Sequence, residues 1–172
     1  MAKVAFIVDE LFEDSELKFP YDRVKEAGHE PVIVGLKRGK TIEGKKGKET
    51  ITTDAAITDV DAADFDALVI PGGYSPDKIR GNSGMVQFTR DIAAAGKPVA
   101  AICHAGWMLA EADLVDGKTV TSFSSIKTDL KNAGANWVDQ EVVEDGNIIT
   151  SRTPDDLEAF TKTLLSQIEQ QS

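Results

Sequence analysis

The sequence predicts an α/β fold, a three-layer sandwich with a central, mainly parallel sheet. Three observations carry that expectation. Short apolar runs alternate with amphipathic stretches along the whole length. The runs at residues 3–8, 67–70 and 98–102 are almost continuously apolar, the signature of strands covered on both faces. Between the runs the apolar spacing changes to that of helices, and Gly28, Gly96 and Gly134 close three of those helices.

In chain order, residues 3–8 read as a buried strand. Residues 15–27 read as a helix, with Leu17, Tyr21, Val24 and Ala27 recurring on one face. Residues 31–36 form a second strand. Residues 67–70 form a third, stopped by Pro71, Gly72 and Gly73. A helix over 83–95 leads to a strand over 98–102, and a further helix over 104–112 follows with no visible loop. Residues 119–123 read as a short strand, 125–133 as a helix, and 141–151 as a hairpin about Asp145 and Gly146. Thr153 as cap and Pro154 at the first helical position start the last helix, which runs to about Glu169. No internal repeat, low-complexity tract or linker interrupts this order, so residues 1–172 read as a single domain.

Composition narrows the partners. The chain has 172 residues, 41% of them hydrophobic, enough to bury one ordinary core. Its apolar runs are too short to cross a bilayer, and residues 1–8 lack the charged-then-apolar order of a secretory leader. A lone cysteine makes no intrachain disulfide. These features predict a cytoplasmic protein without a membrane partner. The 19 basic and 29 acidic residues leave a formal net charge of -10, which repels nucleic acid. The one basic stretch, residues 37–48, is broken by Gly39, Glu43, Gly44 and Gly47 and reads as a solvated hairpin.

In an open parallel sheet, ligands bind beyond the carboxyl ends of the strands. Three loops meet at that edge: residues 9–14, 71–74 and 103–106. Cys103 stands where a strand turns directly into a helix, with small Ala101 and Ala105 two residues to either side, as a nucleophile elbow demands. A helix N-terminus favours thiolate, so a lowered thiol pKa is expected. Glu10, Glu13, Asp14 and Glu16 crowd the first loop. One of these carboxyls is expected to face Cys103. Glu13 is preferred over Glu10 because Phe12 beside it would pack inward. Gly72 and Gly73 provide glycine dihedrals for a tight turn and backbone N–H groups for an oxyanion. His104 adjoins Cys103, but neighbours at a helix start diverge, so a direct Cys–His hydrogen bond is not expected unaided. His29 falls at the opposite edge. Two histidines so placed and one cysteine do not suffice for a zinc site. No phosphate-binding loop or dinucleotide fingerprint occurs, and no metal or cofactor is expected.

Together these residues resemble the PfpI family of intracellular cysteine endopeptidases. That family lies within the superfamily of the parkinsonism-associated protein deglycase and of class I glutamine amidotransferase domains. The likeness rests on Phe12-Glu13-Asp14, Asp66-Ala67-Leu68-Val69-Ile70-Pro71-Gly72-Gly73, Lys97-Pro98-Val99-Ala100-Ala101-Ile102-Cys103-His104, Asp129-Leu130-Lys131-Asn132-Ala133-Gly134-Ala135 and Ser151-Arg152-Thr153-Pro154-Asp155-Asp156-Leu157. The resemblance implies a flavodoxin-like sandwich with Cys103 as nucleophile, His104 beside it, and Gly72 or Gly73 in the oxyanion hole. It places the thiol-contacting glutamate at Glu13. It also implies homodimers or hexamers, with Asp77 at the position from which an acidic residue of a neighbouring subunit orients the histidine. The chain departs from the family pattern in Ala105-Gly106-Trp107 after Cys-His and in Phe123 at a position often held by tyrosine. The implied function is a cysteine-dependent hydrolase acting on small reactive carbonyls or their glycated adducts, or on peptides. The alternative is a stress-response redox sensor or chaperone that uses Cys103 oxidation without turnover.

Overall fold

The computed structural model describes residues 1–171; the single-domain expectation ends at Ser172, which lies outside the described residues. The elements are β1 (Lys3–Ile7), α1 (Asp14–Glu26), β2 (Glu30–Gly35), β3 (Thr41–Glu43), β4 (Thr50–Thr52), β5 (Ala55–Ala56), β6 (Ala67–Ile70), α2 (Ser75–Ile79), α3 (Ser83–Ala94), β7 (Val99–Ile102), α4 (Gly106–Glu111), β8 (Thr119–Val120), α5 (Lys127–Asn132), β9 (Asn136–Trp137), β10 (Val142–Asp145), β11 (Ile148–Ser151) and α6 (Leu157–Gln170). Seven strands form the central sheet in the order β10-β11-β7-β6-β1-β2-β5. Every pairing is parallel except that of β10 with β11, so the mainly parallel expectation holds.

Strand alternation builds two cores, one on each face of the sheet. Val4 and Phe6 pack with Leu17 and Val24 of α1 and with Phe160 and Leu164 of α6. Ala5 and Ile7 face the other way, into a core with Met85 and Ile92 of α3, Leu109 of α4 and Leu130 of α5. All four side chains of β1 named here are fully buried, which is why the strand reads as an unbroken apolar run. The strand order turns about β1: β2 lies on one side of it and β6 on the other. The crevice beyond this switch point is where the loop after β1 meets the loop after β6, and Phe12 bridges to Gly73 there.

Three local expectations are corrected. The strand over 119–123 ends at Val120 and pairs with β9 outside the main sheet. The chain then turns inward, with Thr121 N–H donating to Thr150 Oγ1 at 2.9 Å and Phe123 N–H donating to the Cys103 carbonyl at 3.3 Å. Thr153 provides no side-chain cap. Instead Asp156, buried, accepts from Arg152 N–H at 2.9 Å and from its guanidinium at 2.9 and 3.0 Å. The basic stretch does form a hairpin, β3 paired with β4, but it is anchored rather than merely solvated. Asp14 at the start of α1 is buried and accepts from Lys46, Lys48 and Glu49 N–H, each at 2.9 Å. Glu10 accepts from Glu43 N–H at 2.8 Å. Gly44 has no room for a side chain, because a Cβ there would meet the Asp14 carboxylate. Removing the carboxylate in Asp14→Ala leaves three backbone donors unpaired and should cost about 2 kcal/mol in denaturant unfolding. Asp14→Asn, which keeps one acceptor oxygen, should cost less.

Candidate active site

Cys103 follows β7 directly and has a left-handed backbone, φ 63°. A non-glycine residue rarely adopts that conformation, and it stores strain of about 1–3 kcal/mol. The turn continues as one 3₁₀ turn, Cys103–Ala105, into α4. Ala101 and Ala105 are both buried, as the elbow expectation required of the small flanking residues. The strained elbow also corrects the expectation about His104. Because the backbone reverses at Cys103, the neighbouring imidazole swings back, and Sγ lies 3.2 Å from His104 Nδ1. The ring is held inside the chain: Nε2 lies 3.2 Å from Ser125 Oγ, Phe123 stacks on it at 4.9 Å, and Trp107 meets it edge-on at 5.2 Å. Phe123 and Trp107, departures from the family pattern by sequence, are thus the two walls of the imidazole. Burial and the Lys45 charge hold His104 below the usual histidine range, so the ring is neutral at neutral pH.

The four acidic residues of the first loop divide into separate tasks. Glu10 and Asp14 hold the hairpin, as described. Glu13 is buried, and its carboxylate pairs with Lys45 Nζ at 2.9 Å and Lys46 Nζ at 2.8 Å. Burial alone would raise the Glu13 carboxyl; the Lys46 and Lys45 ammoniums hold it below the usual range. The carboxyl beside the thiol is Glu16. It is completely buried, and Oε1 accepts from Gly72 N–H at 2.8 Å. A Cβ on Gly72 would lie 2.5 Å from Glu16 Oε1 and 2.8 Å from Cys103 Cβ, so the carboxyl and the cysteine adjoin across this glycine. Glu16 Oε2 is buried with no hydrogen-bonding partner among the described residues. The expectation for Glu13 is therefore corrected to Glu16. The helix explains the exchange: Glu13 is the N-cap of α1, outside its first turn, whereas Glu16 lies one turn in and projects under the sheet edge.

The glycines also separate. Gly72 N–H is committed to Glu16. The Gly73 and His104 N–H groups pull the Cys103 thiol down, against its burial. Gly73 has φ 83°, and a Cβ there would lie 2.5 Å from Glu13 N, so only glycine fits. Asp77 is exposed on α2. Burial, followed by the Gly72 N–H, which opposes it, and the Glu13 charge, leaves the Glu16 carboxyl pushed up to about 8. Burial and the Glu16 charge push the Cys103 thiol up to about 12, against the pull of the His104 and Gly73 N–H groups and of Lys45. The expected lowering of the thiol is thus reversed, because Cys103 is only 7% exposed and shares its pocket with a second acid. Sequence reading missed Lys45, Ser125 and Glu16; the signal for Glu16 was its spacing, one turn behind a helix start and next to apolar Leu17.

A three-layer α/β sandwich with a cysteine at a strained strand-to-helix elbow, beside a buried carboxyl, is the class of protein defined by this geometry. The chain belongs to the DJ-1/PfpI family, which it matches over residues 2–167. It is 48% identical over 164 residues to protein/nucleic acid deglycase 2 of Escherichia coli, covering 95% of each chain. It is 46% identical to general stress protein 18 of Bacillus subtilis, covering 97% of this chain and 98% of that one. A crystal structure of a two-domain Anabaena variabilis protein with DJ-1/ThiJ/PfpI-like and ferritin-like domains superposes with a TM-score of 0.97 at 42% identity. The match covers 98% of this chain but 48% of that longer one. Among the described residues no helix is long and apolar enough to cross a membrane.

In the folded chain the Glu16 carboxyl keeps its proton up to about 8, against the ordinary 4.5. The stability contribution of this group is full below the ordinary value and is lost as pH rises towards the folded one. Glu16→Gln, which never ionises, should therefore gain in melting temperature relative to wild type between about pH 5 and about pH 8. A difference that stays constant with pH would show an ionised Glu16 in the native state. Gly72→Ala should displace both Glu16 and Cys103 and lower alkylation-competent, folded protein by more than Gly81→Ala, where a Cβ meets nothing.

Proposed function

We propose that this protein is a cysteine-dependent enzyme that converts reactive dicarbonyls, or their adducts with amines and thiols, to hydroxy acids. The reading is carried by one observation, the Cys103 sulfur 3.2 Å from a neutral His104 Nδ1 at an elbow lined by buried Glu16. The names of the relatives support it: the Escherichia coli protein is called a deglycase.

The chemistry follows from the protonation states. At neutral pH the thiol and the Glu16 carboxyl both hold their protons and the imidazole is free to accept one. His104 Nδ1 takes the thiol proton as sulfur adds to an aldehyde carbon, and the Gly73 and His104 N–H groups stabilise the oxyanion. Return of the proton to that oxygen gives a hemithioacetal. His104 then removes the hydrogen on the former aldehyde carbon, and Glu16 delivers its proton to the neighbouring carbonyl oxygen, forming an enediol. His104 returns its proton to the second carbon while the hydroxyl on the sulfur-bearing carbon gives its proton back to Glu16, which leaves a thioester. Water cleaves it, releasing the hydroxy acid and restoring the thiol. For methylglyoxal the product is lactate.

Peptide hydrolysis is the second form of the same proposal, since it too begins with sulfur attack at a carbonyl. Assembly into homodimers or hexamers belongs here as well, with Asp77 of a neighbouring subunit reaching His104. Ser125 already orients the imidazole within the chain, so small-carbonyl chemistry needs no trans carboxylate, and Asp77→Asn should impair peptide cleavage first.

The decisive measurement is lactate formation from methylglyoxal, alongside cleavage of an unstructured peptide, for wild type and Cys103→Ala. Turnover should vanish in Cys103→Ala; equal turnover in both proteins would end the catalytic reading in favour of a redox role. Glu16→Gln should lose about a hundredfold in turnover, as for a missing general acid. Glu13→Gln should lose far less. Because Glu16 must be protonated, wild-type turnover should fall as pH rises past about 8.

A further inference from the structure

We propose that Glu13 and Lys46 fix Lys45 as the counter-ion that stabilises anions at Cys103, which makes Lys45 a positioning residue for the reaction. The inference rests on the reading of Cys103 as a nucleophile, but its test requires no turnover.

Two ammonium groups converge on one carboxylate, Lys45 Nζ at 2.9 Å and Lys46 Nζ at 2.8 Å from Glu13. The Glu13 side chain is 5% exposed, those of Lys45 and Lys46 33% and 53%. Lys46 is also attracted by the ionised Asp14 carboxylate, whose Oδ1 accepts from Lys46 N–H at 2.9 Å, whereas Lys45 is the lysine whose charge acts on the thiol. On a chain of net charge -10, holding two lysines at one sheet edge is a specific arrangement.

The cluster is held from both sides. Glu13 N–H donates to the Gly72 carbonyl at 3.0 Å, and Lys45 N–H donates to the Phe12 carbonyl at 2.8 Å. The Asp14 carboxylate fixes the turn that carries both lysines, through its bonds to Lys46, Lys48 and Glu49 N–H. Lys45 Nζ also lies 5.8 Å over the Tyr74 ring, next to Gly73. The groups that act on the thiol are Glu16 from α1, the Gly73 and His104 N–H groups, and Lys45 from the hairpin, with the His104 ring 3.2 Å from Sγ and the Glu13 and Asp14 carboxylates behind the lysines. Among these Lys45 is the one cationic side chain, and its charge opposes the Glu16 charge at the thiol. An adduct oxyanion forms in the same field, where fixed charge acts without reorganisation. Glu13 then contributes by holding Lys45 rather than by touching the sulfur.

The test is alkylation of the protein by iodoacetate, an anion, and by iodoacetamide, its neutral analogue. Sulfur displaces iodide in both cases, and the thiol proton goes to solvent. Cys103 is the single cysteine, so every event reports this site. The ratio of iodoacetate to iodoacetamide rate constants should exceed that of free cysteine and should fall as salt is added. Lys45→Met should lower the ratio about threefold or more and move thiolate formation to higher pH, while Lys45→Arg restores both. A merely structural lysine would leave ratio and midpoint unmoved in a folded Lys45→Met protein, and that result overturns the proposal. If Lys45→Met does not fold, the wild-type salt series decides: a ratio equal to that of free cysteine and insensitive to salt overturns it equally. Wild-type protein that shows the expected ratio but forms no lactate would sink the enzymatic reading and leave the counter-ion in place.

Discussion

The hydrogen bond from Gly72 N–H to the buried Glu16 carboxyl is the constraint on which the site depends. It joins the first helix to the end of β6, at 2.8 Å, in a place where neither partner meets solvent. Burying a carboxyl is costly unless it is neutral and hydrogen-bonded. Here both conditions hold, because the proton is kept up to about 8. The bond also dictates glycine at position 72, since any side chain there would strike the carboxyl and the cysteine together. A fold selected for stability alone would place an apolar residue at position 16. The polar group, together with the left-handed Cys103, marks the sheet edge as the region where local stability yields to chemistry.

Around that bond the acidic first loop is organised by what each carboxyl meets. Glu10 and Asp14 accept backbone N–H groups from the β3–β4 hairpin and draw it over the start of α1. Glu13 meets ammonium groups and stays ionised, whereas Glu16 meets one amide N–H, is fully buried and stays neutral. Two carboxyls one helical turn apart thereby acquire opposite protonation states. The same physics governs the other reacting groups. Burial raises the Cys103 thiol and lowers His104, so the resting site is uncharged at sulfur and imidazole. Charge is introduced from the rim, by the lysines of the hairpin.

Most of the sheet is legible in the sequence. Strands buried on both faces must be apolar at every position, and β1, β6 and β7 are so written. Glycines with positive φ closed helices where expected, at Gly28, Gly96 and Gly134. The short β3, β4, β8 and β9 were harder to read, because strands of two or three residues leave too little pattern. Their pairing depends on distant partners such as Asp14 and Thr150.

By itself, the sequence determined the layered α/β class and the convergence of the loops after β1, β6 and β7 at one edge. These follow from the hydrophobic period and from the right-handed connection of parallel strands. It also singled out Cys103, because small residues on both sides of a strand end are a local steric requirement. Which carboxyl reaches the thiol was decided only in three dimensions. Glu10, Glu13, Asp14 and Glu16 are alike in chemistry and close in sequence; the loop at Glu10, the cap at Glu13 and the rotation of about 100° per residue within the helix that starts at Asp14 separate their directions. The meeting of His104 with Cys103 likewise needed the backbone reversal at φ 63°, and the arrival of Lys45 needed a hairpin folded back from residues 41–52. Hydrophobic pattern is written along the chain, but the direction of a polar side chain is set by the tertiary contacts that surround it.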